Sequence, residues 1–229
     1  MTDRRYADPL QARSYVAGPR QFVPGYDAMH TMAAQLIAEH AGPDARILVL
    51  GAGGGLETAS FARLQPGWRF VGVDPHEAML EQARITLREA GVLDRVELTC
   101  GYMRDSPPGP FDGASCLLTL HFLEGEDAKR DALTAIRERL PRGARLVLVD
   151  LCLDRDAPDF DMRRDRYARF ALNAGADAAD VATTRARLKE VLSTLCATRE
   201  AELIAEAGFV DAELFYAAMS WRGWVAKAP

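Results

Sequence analysis

Ile47-Leu48-Val49-Leu50-Gly51-Ala52-Gly53-Gly54-Gly55 is the stretch that decides how this chain is read. Four successive aliphatic residues suit a strand buried on both faces, and the glycines after them suit a strand-to-helix turn whose backbone can approach a ligand closely. The helix beyond would begin with free N–H groups. Glycine also serves plain turn geometry, so a second element has to support a ligand. Arg69-Phe70-Val71-Gly72-Val73-Asp74 supplies it: a strand ending in a carboxylate, at about the interval where such folds place an acid for ribose hydroxyls. The two elements together point to a nucleoside-type ligand. A dinucleotide fingerprint wants Gly or Ala at the sixth place of its glycine motif, where helix and strand pack closely. Here that place is Leu56, which disfavours a nicotinamide cofactor.

Outward from this core, short apolar runs alternate with helical patterns, the signature of a doubly wound α/β sheet. Strands are expected at Ile47 to Leu50, Arg69 to Val73, Val96 to Thr99, Ala114 to Leu120 and Arg145 to Leu151, with helices at Leu56 to Leu64, Glu77 to Ala90 and Glu126 to Leu140. In the second of these helices Leu80, Ala83, Leu87 and Ala90 share one face, and Gly91 closes it. Residues 1–43 read as an N-terminal arm and a helix carrying Met29, Met32, Ala33, Leu36 and Ile37. Residues 44–229 read as the ligand-binding domain, with a helical insertion at about 154–197 whose stripes are Phe160, Tyr167, Phe170, Ala174 and Leu188, Val191, Leu192, Leu195. A helix from Arg199 to Ala207 and two strands, Glu213 to Ala218 and Trp221 to Ala226, close the chain. Trp221 and Trp224 read as core residues.

Composition bounds the function. The chain has 229 residues, 48% hydrophobic and 27% charged, which is ordinary globular usage. The net charge of −5 works against a nucleic-acid partner. No apolar run approaches a membrane span and the N-terminus lacks a signal peptide's apolar core, so a soluble, cytoplasmic protein is expected. Cys100, Cys116, Cys152 and Cys196 form no CxxC pair and read as buried reduced thiols, with no metal expected. Arg163, Arg164 and Arg166 alternate with Asp161 and Asp165 and read as a solvated helix face.

The loop fits G-x-G-x-G, and the chain resembles the class I S-adenosylmethionine-dependent methyltransferases. Gly91-Val92-Leu93-Asp94-Arg95-Val96-Glu97, Phe111-Asp112 and Leu140-Pro141-Arg142-Gly143, each before a strand, look like that family. Val23-Pro24-Gly25-Tyr26, Leu118-Thr119-Leu120-His121-Phe122-Leu123 and Ala207-Gly208-Phe209 followed by Glu213-Leu214-Phe215 look like its carboxy-S-adenosylmethionine synthase branch. The resemblance implies a Rossmann-like sheet of order 3-2-1-4-5-7-6 with a helical cap, S-adenosyl-L-methionine as cofactor, a small-molecule substrate and a homodimer. It implies that Tyr26 packs near the cofactor, that Gly51, Ala52 and Gly53 line its methionine end, that Asp74 holds the ribose, and that Tyr102 and Met103 flank the adenine. Gly55, Pro75 and Leu117 complete the expected binding set. His121, after the fourth strand, is the candidate general base, with a histidine covering a helix start as the alternative reading. Tyr15 and Arg20 lie in the arm that would fold over the cofactor.

Four positions depart from the family pattern. Val49 stands where the first strand of most methyltransferases carries an acid near the methionine amino group. Tyr102 stands where an acid meets the adenine amino group. Leu117 replaces an asparagine of the synthase branch, and Leu203 is where the resemblance places that branch's carboxylate-binding arginine. Methyl transfer to a small acceptor is the leading expectation. A carboxy-S-adenosylmethionine synthase-like activity and a non-catalytic cofactor-binding protein stay open beside it.

Overall fold

The computed structural model describes residues 18–229. Seven strands form one sheet in the order β3-β2-β1-β4-β5-β7-β6. They are β1 (Arg46–Leu50), β2 (Arg69–Asp74), β3 (Val96–Cys100), β4 (Gly113–Leu117), β5 (Arg145–Leu151), β6 (Val210–Ala218) and β7 (Trp221–Lys227). The first five pair in parallel, whereas β7 inserts antiparallel between β5 and β6. The fold expected from the sequence is the fold observed.

Alternation along β1 explains why the sheet is covered on both faces. Ile47 and Val49 enter one core with Met29, Ala33 and Ile37 of α2 (Tyr26–Ala38), Phe61 of α3 (Leu56–Leu64) and Leu80 and Leu87 of α4 (Glu77–Glu89). Leu48 and Leu50 enter the other, with Leu133 and Ile136 of α5 (Gly125–Arg137) and Leu203 and Ile204 of α8 (Ala197–Glu206). A strand with period two and no polar face can only be satisfied in this way. Trp221 and Trp224, three residues apart on β7, divide between the same two cores.

Between β5 and α8 lie α6 (Phe160–Asn173) and α7 (Ala178–Glu190), and the short α1 (Pro19–Phe22) packs against them. Phe22 and Tyr167 hold their ring centroids 5.9 Å apart, Trp221 donates its indole N–H to the Phe22 carbonyl, and Gln21 donates to the Gly175 carbonyl. These contacts seat the cap over the β5 and β7 end of the sheet. Tyr15 lies outside the described residues. Among the described residues no helix is long and apolar enough to cross a membrane.

Several local expectations need correction. β4 stops at Leu117 instead of running to Leu120, because Leu118 takes a left-handed φ of 58° and the chain turns into a 3-10 segment over Leu120–Phe122. Cys116 and Cys152 are buried, but Cys100 and Cys196 are exposed; all four are free thiols. Met32 and Val191 face solvent, and Ala171 takes the inward place expected of Phe170. Arg164 is not solvated: it is buried beside the Phe160 ring while pairing with Asp161.

A group of ionisable side chains sits inside the second core. Lys129 of α5, Asp150 of β5 and Glu200 of α8 are each fully buried, with the Lys129 ammonium 3.4 Å from Asp150 and 3.6 Å from Glu200. Burial alone would raise the Asp150 pKa, yet His121 and Lys129 together hold it below the ordinary value. Glu200 is pushed up to about 8, by burial first and by Asp150 second. Removing the cation should be costly: Lys129→Met is expected to lose about 3 to 5 kcal/mol of stability, the range for breaking a buried ion pair. Because the Glu200 pKa is raised from its ordinary 4.5 to about 8, folding takes up a proton between those values and stability falls as pH rises through that window. Glu200→Gln should remove this share of the decline, leaving the part owed to Glu57, which burial also pushes up to about 8, and urea unfolding of both variants from pH 5 to 9 checks the two expectations.

Candidate active site

Each polar group at the carboxyl ends of β1 and β2 is positioned by the turn between β1 and α3. After Leu50 the chain folds back so that the N–H groups of Gly51 and Ala52 both donate to the Val73 carbonyl on β2, at 2.8 and 3.0 Å. Gly53 can then donate to Asp74 Oδ2 at 3.0 Å, while the His76 N–H donates to Asp74 Oδ1 at 2.9 Å. One carboxylate therefore fastens the glycine turn to the start of α4, and each of its oxygens keeps a further lone pair for a ligand. Gly51 has a φ of 77°, and a Cβ there would fall 2.0 Å from the Thr119 hydroxyl. No other residue fits, since both the left-handed backbone and the approach of Thr119 exclude a side chain.

A cavity of about 580 Å³ opens beside this turn. Gly51, Gly53, Asp74, Pro75, Tyr102, Met103 and Leu117 line it, so seven of the expected binding residues converge on one hollow. Its far wall comes from α5, through Ala128, Asp131, Ala132 and Ala135. A smaller recess of about 20 Å³ adjoins it, lined by Tyr26, His30, Ala52 and Glu57 together with Gly51, Gly53, Leu117 and Leu118. Gly55 lines neither hollow; it is the left-handed N-cap of α3, pressed against Ala83 of α4. The large hollow has the size of a nucleoside-bearing ligand site, with apolar walls and a few converging polar groups.

His121 also lies off both walls. It is 4% exposed, its Nδ1 is 2.5 Å from Asp150 Oδ1, and its ring packs between Phe122 and Trp221.

Two site features escaped the sequence reading. The α5 wall was invisible because small residues on a helix carry no ligand signal. Glu57 did leave one: it shares the buried stripe of α3 with Phe61, one turn away, where an apolar residue is the norm. Leu203, by contrast, lies in the core with Leu133 and Ile136 and lines neither hollow, so its being leucine carries no information about the group to be transferred. Arg199 is held by Glu126, Glu202 and Glu206, and Arg20 by Asp27.

The carboxylate of Asp74 gives a direct test of the site. Asp74→Ala should weaken S-adenosylhomocysteine binding by about 1.5 to 3 kcal/mol, the range for hydrogen bonds to a charged group. Titration calorimetry reads it, and unchanged affinity would remove Asp74 from the ligand.

Comparison with known proteins agrees with this geometry. A family described as a methyltransferase domain matches residues 48–146. The carboxy-S-adenosyl-L-methionine synthase of Klebsiella pneumoniae (strain 342) is 26% identical over 209 residues, covering 89% of this chain and 83% of the relative. That of Actinobacillus succinogenes is 28% identical over 199 residues, covering 85% and 81%. Among solved structures, PigF with SAH superposes with a TM-score of 0.69 at 18% identity, covering 98% of this chain and 61% of PigF. An O-methyltransferase family 2 protein from Planctomyces limnophilus, solved with apigenin, gives 0.68 at 18% identity, covering 96% and 62%. The chain spans less than two thirds of the length of these two structures. The cyclase SpnF shares the fold as well, with a TM-score of 0.64 at 18% identity over 89% of this chain and 80% of its own. The chain shares the fold of solved methyltransferases, matches a methyltransferase domain over residues 48–146, and resembles the carboxy-S-adenosylmethionine synthases in sequence.

Proposed function

We propose that the protein transfers a methyl group from S-adenosyl-L-methionine to a small-molecule acceptor. The observation that carries this reading is the Asp74 carboxylate, fixed by Gly53 and His76 at the mouth of a cavity that seven expected cofactor residues line. The cofactor fits: the turn leaves room for backbone contact, Asp74 has lone pairs to spare for ribose hydroxyls, and Met103 and Leu117 offer apolar surface to a purine. Bound there, S-adenosylmethionine would supply a methyl group on a positively charged sulfur, open to in-line displacement by an acceptor atom. The chain's own share is orientation and exclusion of water, which for two bound reactants is worth several orders of magnitude. The residues placed to meet an acceptor are those of the α5 wall and of the turn after β4, which line the cavity, whereas α1, α6 and α7 line neither hollow.

His121 is assigned a positioning role. Its backbone N–H and its Nδ1 both meet Asp150, which holds the turn after β4 whose neighbours Thr119 and Phe122 line the cavity. His121→Asn should lower kcat while leaving the midpoint of the pH–rate profile in place. A profile that loses its limb near neutral pH would instead make His121 the base.

The names of the sequence relatives favour one alternative, a carboxylated cofactor. A carboxylate on the transferable group needs a cation in a partly dry site. Among the described residues, Asp74, Glu124 and Asp131 line the cavity against a single arginine, Arg104, whose side chain is 81% exposed. The recess beside the glycine turn holds no lysine or arginine among the described residues. Plain S-adenosylmethionine should therefore outcompete its carboxylated derivative in a displacement titration. Tighter binding of the carboxylated form would replace the methyltransferase reading with the synthase-like one.

A further inference from the structure

Glu57 is 7% exposed, and its Oε1 has no hydrogen-bond partner among the described residues. Burying a carboxylate in this way is unfavourable unless something compensates it. The described residues offer little compensation. The titratable groups around Glu57 are Tyr26 and His30 on α2 and Cys116 on β4, and burial keeps each of them neutral: it pushes the His30 pKa down to about 4 and the Tyr26 and Cys116 values up. Burial likewise pushes Glu57 up to about 8, with only the Ser115 hydroxyl opposing it.

The recess that Glu57 lines opens at the glycine turn and shares Gly51, Gly53, Leu117 and Leu118 with the large cavity. At about 20 Å³ it holds one water-sized group, such as an ammonium. Val49, where the family resemblance places an acid, lines neither hollow; it is buried in the first core. We propose that Glu57 is the counter-charge for the α-ammonium at the amino-acid end of the cofactor, entering from the first turn of α3 in place of the acid missing from Val49. This rests on the cofactor reading above and adds a ligand-recognition residue to it.

The test compares S-adenosylhomocysteine with 5′-methylthioadenosine, which keeps the nucleoside and thioether but lacks the ammonium. Glu57→Gln should weaken S-adenosylhomocysteine about 10- to 100-fold, the fold-change of a charge-assisted hydrogen bond, and leave methylthioadenosine within about twofold. Equal weakening of both ligands, or of neither, overturns the assignment. The wild-type protein gives a second readout that needs no variant. Glu57 must ionise to pair, so affinity for S-adenosylhomocysteine should rise by up to about tenfold per pH unit from pH 6 towards 8, with close to one proton released per ligand at the lower end. Methylthioadenosine should show neither effect, and a pH-independent ratio of the two affinities overturns the proposal. A wild-type protein that binds neither ligand overturns the cofactor reading itself.

Discussion

Asp74 is the constraint from which the rest of the site follows. A strand-to-helix turn rich in glycine has many conformations open to it, and ordering it costs backbone entropy. The Val73 carbonyl and the Asp74 carboxylate accept from Gly51, Ala52 and Gly53 in succession, so the turn is held by the end of the neighbouring strand. The same carboxylate meets the His76 N–H at the start of α4. Under the proposed function, cofactor recognition and turn geometry would share one side chain, on a surface already shaped before any ligand arrives.

The second organising feature is the buried charge cluster of Lys129, Asp150 and Glu200. It joins α5, β5 and α8, and through His121 it reaches the turn after β4. Apolar packing tolerates small shifts between helix and sheet, whereas paired charges in a dry interior do not, because any separation exposes each charge to a medium that solvates it poorly. The wall that α5 contributes to the cavity is thereby fixed relative to β4 and β5. A charge cluster remote from the ligand is thus connected to the shape of the site.

Glu57 shows the converse arrangement, an acid left without compensation at the edge of the site. A protein core has no use for an isolated carboxylate, and the neutral state of its neighbours removes the simplest structural account of it. The recess beside it is small, polar on one side and continuous with the cofactor cavity. Recognition of the nucleoside by Asp74 and of an ammonium by Glu57 would bring two carboxylates, one from β2 and one from the first turn of α3, to a single ligand.

The sequence by itself determined the fold, because its information is local and periodic. Alternation in Ile47 to Leu50, three-and-four spacing in Leu80 to Leu87, and the glycine turn before Leu56 each identify an element within a few residues, and the order of elements constrains the topology. The family resemblance read from the sequence also implied about a third of the cavity wall, including Gly51, Asp74, Tyr102 and Leu117, which stand at strand ends where a parallel sheet collects ligand contacts. What tertiary structure decided is everything set by distance between elements far apart in the chain. His121 lies behind the wall because Leu118 turns the backbone and Asp150 captures the imidazole. Leu203 is core because α8 packs on α5. Lys129, Asp150 and Glu200 meet only in three dimensions, and so do Glu57, Tyr26 and His30. Burial of a charge is a property of the packed interior, where the low dielectric makes every unpaired group consequential, and no linear pattern records it.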